Sequence, residues 1–390
     1  MSHRFATPRV EGRAARQAHA DIPQGAFERE IGRDGFAGAA AHMYHRNPPT
    51  AWRAVEGPIR PRAFNPASAA PSASPWDALA LATNDRVRVR FWRVAGAMDE
   101  LARNADGDEL LFVHRGAGEL FCDYGHLGYA EGDYVLLPRG TMWRLEPSQP
   151  SEILLIEATQ TSFRQPDRGL LGRHAIYDPG VLDVPALDEA FQAQRRGGPW
   201  RVSVKRRNRL GRIDYPFNPL DATGWKGDLH PVRLNVRDIR AVISARYHIP
   251  PSVRSTFVSD RFVVCTVTPR PVETDPGALK LPFFHSNDDY DELIFYHRGN
   301  FSSRGGVVGA GVLTFHPSGI THGPHPEQLP YMFEHPAKTF ESYAVMIDSL
   351  DGLDIAALPE GVEIAGYAES WRASIERAPD ARVAVAQDAG

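Results

Sequence analysis

Four histidines fall within the forty residues from His285 to Pro324: His285, His297, His316 and His322. The same stretch holds the carboxylates Asp288, Asp289, Asp291 and Glu292, and glycines and prolines at turn positions. Two runs inside it alternate like half-buried strands, 292–298 and 312–316. His285 precedes the first run and Glu292 opens it. His322 follows a Pro317-x-Gly319 turn. Two imidazoles and one carboxylate gathered on one side of a metal leave its other positions open, so that a substrate and O₂ can both reach it; that arrangement suits an Fe(II) oxygenase. The donor set alone suits Mn, Co or Zn as well.

Strand alternation sorts the remaining groups. Glu292, Ile294 and Tyr296 share one face; Leu293, Phe295 and His297 share the other. If Glu292 points inward as a ligand, His297 points away and is excluded. His316 ends the second run close to the turn. It reads either as a residue orienting a ligand or as an acid/base group, with an ordinary barrel position as the alternative.

The strands that must position these groups occur twice. Asp108-Glu-Leu-Leu-Phe-Val-His-Arg-Gly116 matches Asp291-Glu-Leu-Ile-Phe-Tyr-His-Arg-Gly299 at seven of nine positions. Downstream, Leu137-Pro138-Arg-Gly140-Thr-Met-Trp143 sits where His316-Pro317-Ser-Gly319-Ile-Thr-His322 sits in the second copy. A repeat of one strand–turn–strand unit implies two β-barrels of one type. The first copy has Trp143 for His322 and Leu137 for His316, and no histidine near Ala102 and Arg103 to match His285. It keeps the turns and lacks the metal ligands.

Composition sets outer bounds. The formal net charge of −4 gives no reason to expect nucleic acid or an anionic membrane as partner. No apolar run approaches a membrane span, and the N-terminus has no apolar signal region. Cys122 and Cys265 supply neither a disulfide framework nor a cysteine zinc motif, which points to a reducing cytosol and a cytoplasmic protein. Frequent proline and glycine between short apolar runs predict an all-β fold with few short helices. The expected divisions are an N-terminal arm and connector (1–80), a metal-free barrel (81–185), a linker with a helix at 187–196 and a basic loop (186–255), a metal-binding barrel (256–360) and a C-terminal tail (361–390). The basic stretch 195–212 carries eight Arg or Lys in eighteen residues and reads as a solvated linker or subunit contact rather than a phosphate site. His42-x-x-His45 reads as structural, because no third ligand lies nearby in the sequence.

Several pieces together resemble the homogentisate 1,2-dioxygenase family: FFHSNDDYDEL at 283–293, HRG at 297–299, FHPSGITHGP at 315–324, GWKGDLHPVRLNVRDI at 224–239, YHIPPS at 247–252 and GFAGAAAHMYHRNPPTAW at 35–52. The resemblance implies a bicupin, two double-stranded β-helix (cupin) barrels. It implies Fe(II) held by His285, Glu292 and His322, and active-site roles for His248, as acid/base on a ring hydroxyl, and for His316. It further implies a small aromatic acid and O₂ as substrates and a homo-oligomer, a trimer or hexamer. The sequence departs from the animal enzymes by one extra residue between His285 and Glu292. Phe301 stands at a substrate-contacting tyrosine, and Phe283 and Phe284 at tyrosines beside the first ligand. Lost hydroxyls remove the polar contacts that discriminate substrates most strongly. Arg298 and Arg304 are candidates to fork onto a substrate carboxylate. The implied activity is ring cleavage of homogentisate to maleylacetoacetate in tyrosine and phenylalanine catabolism. The competing expectations are a dioxygenase for another hydroquinone acid such as gentisate, a non-catalytic metal-binding bicupin, and a Zn or Mn cupin isomerase.

Overall fold

The computed structural model describes residues 9–94, 96–194, 196–280, 282–299, 301, 306–326, 328–329 and 338–372. Arg304 and most of the tail beyond Trp371 therefore lie outside the described residues. The chain is all-β and cupin-like. Among the described residues its strands form five sheets, and the two that organise the molecule belong to different barrels. One runs through Gly107–Arg115, Ser151–Thr159 and Val87–Val94; the other through Phe262–Val267, Tyr343–Ser349, Asp291–Arg298 and Leu313–His316. No described helix is long and apolar enough to cross a membrane.

The two sheets pack against each other through alternate side chains. Leu110 and Phe112 of the first meet Leu293 and Phe295 of the second in one buried cluster, with Phe91 and Phe295 rings 5.8 Å apart. The intervening residues turn the other way. Leu111 and Val113 fill the first barrel with Trp92 and Trp143. Tyr296 and Ile294 face an apolar cluster inside the second. His297 lies on the interface side, as its parity requires, with Nδ1 3.0 Å from Nδ1 of His114.

The repeated residues build equivalent scaffolding. Asp108 accepts from the backbone N–H of Arg139 at 2.7 Å, and Asp291 from that of Ser318 at 2.8 Å. Each carboxylate thus pins its own Pro-x-Gly turn, and in the second barrel that turn delivers His322. The glycines that close the two matching runs are required sterically. Gly116 and Gly299 have φ of 97° and 120°. A Cβ on Gly299 would come within 2.3 Å of the Glu341 carbonyl oxygen, and one on Gly116 within 2.8 Å of that of Pro150.

The structure corrects the expected divisions at three places. The N-terminal region is not only an arm and connector. Phe27–Gly32 and Ala40–His45 form a sheet with Phe284–Ser286, Arg62–Phe64 extends the metal-barrel sheet beside Leu313–His316, and Leu79–Thr83 joins the first barrel. The basic stretch is not a loop in a linker. Gly197–Arg206 and Arg209–Phe217 form an antiparallel hairpin that pairs in parallel with Leu101–Asn104 of the first barrel. Arg207 and Asn208 turn it at positive φ, the geometry that suits a two-residue hairpin turn, and Lys205 is buried. The helix expected at 187–196 is a short one, Glu189–Ala193, capped by Asp188. Finally, the beginning of the tail is core. Tyr367 and Trp371 are buried inside the metal barrel.

Candidate metal centre

The three candidate ligand residues converge because two short backbone segments pair. His285 and His322 exchange both backbone hydrogen bonds, each N–H donating to the other's carbonyl at 2.9 Å. Residues paired in this way project their side chains together, and the two imidazole rings lie 4.2 Å apart. Glu292 enters from the neighbouring strand, with Oε1 3.6 Å from Nε2 of His322. One donor atom from each of His285, Glu292 and His322 lies within 4.8 Å of the others.

Ring orientation fits a metal. His285 Nδ1 lies 2.8 Å from the Phe283 carbonyl oxygen, and His322 Nδ1 3.3 Å from that of Ile320. An Nδ1–H given to a carbonyl leaves the lone pair on Nε2, the arrangement typical of metal-binding histidine. His322 Nε2 is buried and makes no hydrogen bond, a costly state for a polar atom unless an ion completes it. The Glu292 carboxyl is nearly enclosed. Burial alone would raise its pKa, but the hydrogen bond with His316 and the nearby His322 imidazole hold it well below the usual carboxylate range. Directly across the ladder is Asp348, whose pKa burial and the Glu292 charge push well above normal. Of this carboxylate pair, Glu292 takes the charge and Asp348 the proton.

His316 is fully buried. Its Nδ1 meets Glu292 Oε1 at 2.6 Å and its Nε2 meets the Tyr367 hydroxyl at 2.9 Å. With both nitrogens engaged, it orients Glu292 and has no nitrogen left to exchange a proton with substrate. The acid/base alternative for His316 is thus set aside. Tyr367, 51 positions away, was beyond the reach of any local motif.

His248 is buried against Phe283, the ring that also touches His285, at 5.8 Å and 5.1 Å between centroids. Burial, with the charges of Arg254 and Arg270, lowers its pKa to about 4 against the opposing pull of Glu273. It is neutral near pH 7. Arg270 Nη2 lies 3.0 Å from its Nδ1. The same Nδ1 lies 3.0 Å from a Glu273 carboxylate oxygen; the guanidinium only donates and the carboxylate only accepts, so Nδ1 is held between partners of opposite demand. Phe283 and Phe284 are buried, and Phe283 stacks on His19 at 4.1 Å.

Of the expected substrate arginines, Arg298 does not gather here. Arg298 has an exposed side chain directed at Glu131, 3.7 Å away, so it is a surface charge. Arg304 lies outside the described residues. Phe301 packs edge-on against Tyr296, 4.7 Å between centroids, within the barrel's apolar interior. The guanidinium the sequence did not single out is Arg254. It makes no ion pair with a described residue, and its buried Nε has no hydrogen-bond partner. Burial, together with Arg270, lowers its pKa to about 10. It lies within electrostatic reach of His248 and of Cys265, and Cys265 within that of Glu292. In YHIPPSVRS only the histidine carried a signal; the arginine three residues past the prolines carried none.

Several known proteins are similar to this chain. Residues 78–236 match the family model for the homogentisate 1,2-dioxygenase N-terminal region. A Saccharolobus solfataricus protein named "Putative dioxygenase SSO1533" is 29% identical over 366 residues, 89% of this chain and 93% of its own length. A homogentisate 1,2-dioxygenase of Sinorhizobium fredii is 25% identical over 240 residues, 59% of this chain. The match spans about half, 52%, of that relative's length. Among solved structures, a cupin 2 conserved barrel domain protein from Leptotrichia buccalis aligns over 74% of this chain and 96% of its own, at 9% identity and a TM-score of 0.32. By these matches the chain is similar to the homogentisate 1,2-dioxygenase family.

Proposed function

We propose that this chain is an Fe(II)-dependent dioxygenase that opens the ring of homogentisate, giving maleylacetoacetate in tyrosine and phenylalanine catabolism. The observation that carries this is the convergence of His285, Glu292 and His322 with both imidazoles fixed by backbone carbonyls. Both atoms of O₂ enter the product, so no outside reductant is needed. Iron(II), when bound by those three residues, would supply electron transfer between an electron-rich ring and O₂ at its open positions.

The chain's own groups do the rest. His316, held by Tyr367, fixes the Glu292 carboxylate. Neutral His248, held at Nδ1 by Arg270 and Glu273, meets a ring hydroxyl as its acid/base partner. Arg254 replaces Arg298 as the group that receives the substrate carboxylate. Phe283, Phe284 and Phe301 supply apolar walls where hydroxyls would bind polar substituents, and this favours a substrate with few ring substituents. The exposed strand Arg209–Phe217, which shows Leu210, Ile213 and Phe217 to solvent, supports assembly into a homo-oligomer, a trimer or hexamer, which light scattering reads directly.

The test is O₂ uptake by anaerobically purified chain given ferrous iron. Homogentisate consumed with O₂ in equal amounts is the expected result. Faster turnover of gentisate would move the substrate to that acid. Bound metal with no O₂ uptake on either would favour a non-catalytic bicupin.

A further inference from the structure

His42 and His45 are three positions apart on the strand Ala40–His45, so they leave opposite faces and cannot share an ion. The residues that do meet His42 come from elsewhere. Glu30 is its partner directly across the hairpin, and Glu28 and Tyr44 form the next pair on the same face. His19, from the arm before the hairpin, lies over them. His19 Nε2 is 2.8 Å from Glu30 Oε2, and His19 Nδ1 is 2.5 Å from Glu28 Oε1. His42 Nε2 is 3.6 Å from Glu30 Oε2. Donor atoms of His19, Glu28 and His42 all fall within 4.8 Å of one another.

Two features distinguish this group from an ordinary buried ion pair. His19, Glu28 and Glu30 are 1%, 2% and 4% exposed, yet among the described residues no Lys or Arg pairs with either carboxylate. His19 Nδ1 is close to Glu28 but makes no hydrogen bond, and neither does the buried His42 Nε2. Those nitrogens approach oxygens without the direction a hydrogen bond needs, as donors do when they aim at a common point. Burial would lower the His19 pKa, but Glu28 and Glu30 raise it to about 9; one proton thus offsets part of the two carboxylates' charge, where a divalent cation in its place would offset all of it.

We propose that His19, Glu28, Glu30 and His42 form a second cation site, suited to a zinc-type divalent ion with nitrogen and oxygen ligands. Its place in the sheet gives it a task. His42, Glu30 and His285 are successive partners across three strands, and in-register neighbours share a face. The ion would sit one strand from the ligand His285 and clamp the arm onto the strand that carries it. His19 stacks on Phe283, whose carbonyl orients His285, so the clamp also backs that contact. This site is independent of the substrate assigned to the first.

The experiment counts metal. Full-length chain, stripped by chelator and titrated with Zn(II), should bind two equivalents. The double variant Glu292→Gln, His322→Ala should retain one, and Glu28→Gln or His42→Ala in that background should lose it. In the otherwise native chain, His42→Ala should lower the count from two to one, which covers the case where the double variant does not fold. A single equivalent in the native chain, or two unaffected by His42→Ala and Glu28→Gln, would overturn the proposal in favour of a protonated His19 bridging two glutamates.

Discussion

Trp143 donates its indole N–H to Glu109 at 3.3 Å, from the place in the first barrel where His322 approaches Glu292 in the second. The parallel extends across the ladder, since Glu157 opposes Glu109 as Asp348 opposes Glu292. In the first barrel the cations are side chains. Arg90 reaches Glu109 at 3.2 Å, and Lys205 reaches Asp106 at 2.6 Å and Glu157 at 2.9 Å. A fixed guanidinium and ammonium thus do there what a metal would do in the second barrel.

Removing that ammonium should unsettle the first barrel without touching the metal centre. Lys205→Met takes from Asp106 its buried cation and leaves Glu157 with Arg90 and Arg88 at 3.8 and 3.9 Å. Breaking one side of a buried pair costs about 3–5 kcal/mol. Urea unfolding should show a loss of that order while metal bound at His285, Glu292 and His322 is unchanged. A loss below about 1 kcal/mol would mean that water or rearrangement satisfies the carboxylates.

Tyr367→Phe tests whether His316 acts by positioning. The variant removes one hydroxyl from the far side of His316 and alters no ligand. Such supporting contacts are worth about 10–100-fold in metal affinity. Competition against a chelator should show a loss in that range, with wild-type kcat recovered at saturating metal. Unchanged affinity combined with a lowered kcat would instead put His316 in the proton chemistry.

The sequence made the repeat, the pinned turns and the grouping of His285, Glu292 and His322 legible because each is local. Asp291 and the Ser318 turn lie within one motif, and His285 and Glu292 are seven residues apart. What it hid is partnership at long range. Nothing near Lys205 announces that Asp106, 99 positions away, will bury it, and the basic neighbours made the segment read as solvent-facing. His42 looked toward His45 because they are close in the chain, whereas its neighbours Glu30 and His19 reach it through a hairpin and an arm. Arg254 gave no sign because an arginine is ordinarily a surface residue.

Acid should weaken the contact between the barrels. His114 and His297 share a proton-poor contact between the two sheets. Burial, with nearby positive charge, lowers their pKa values to about 3 and about 4. In the unfolded chain each titrates near 6.5. As pH falls below about 6.5 the unfolded state takes up protons that the folded state refuses, so stability drops until the folded values are reached and then levels. Unfolding midpoints in urea should fall between pH 7 and pH 4. The double variant His114→Leu, His297→Leu should flatten that slope; an identical slope would place the acid sensitivity elsewhere.

Arg254→Gln separates recognition of the acid group from the ring chemistry. A hydrogen bond to a charged group contributes about 1.5–3 kcal/mol, which corresponds to about 10–100-fold in binding. KM for homogentisate should rise by that factor while kcat changes less, and Arg254→Lys should recover part of the loss. Methylhydroquinone presents the same ring without the carboxylate. On that compound wild type and Arg254→Gln should perform alike, because the missing guanidinium has nothing to hold. An equal loss on both compounds would assign Arg254 to the electrostatics around His248 and Arg270, and would leave the carboxylate to another group.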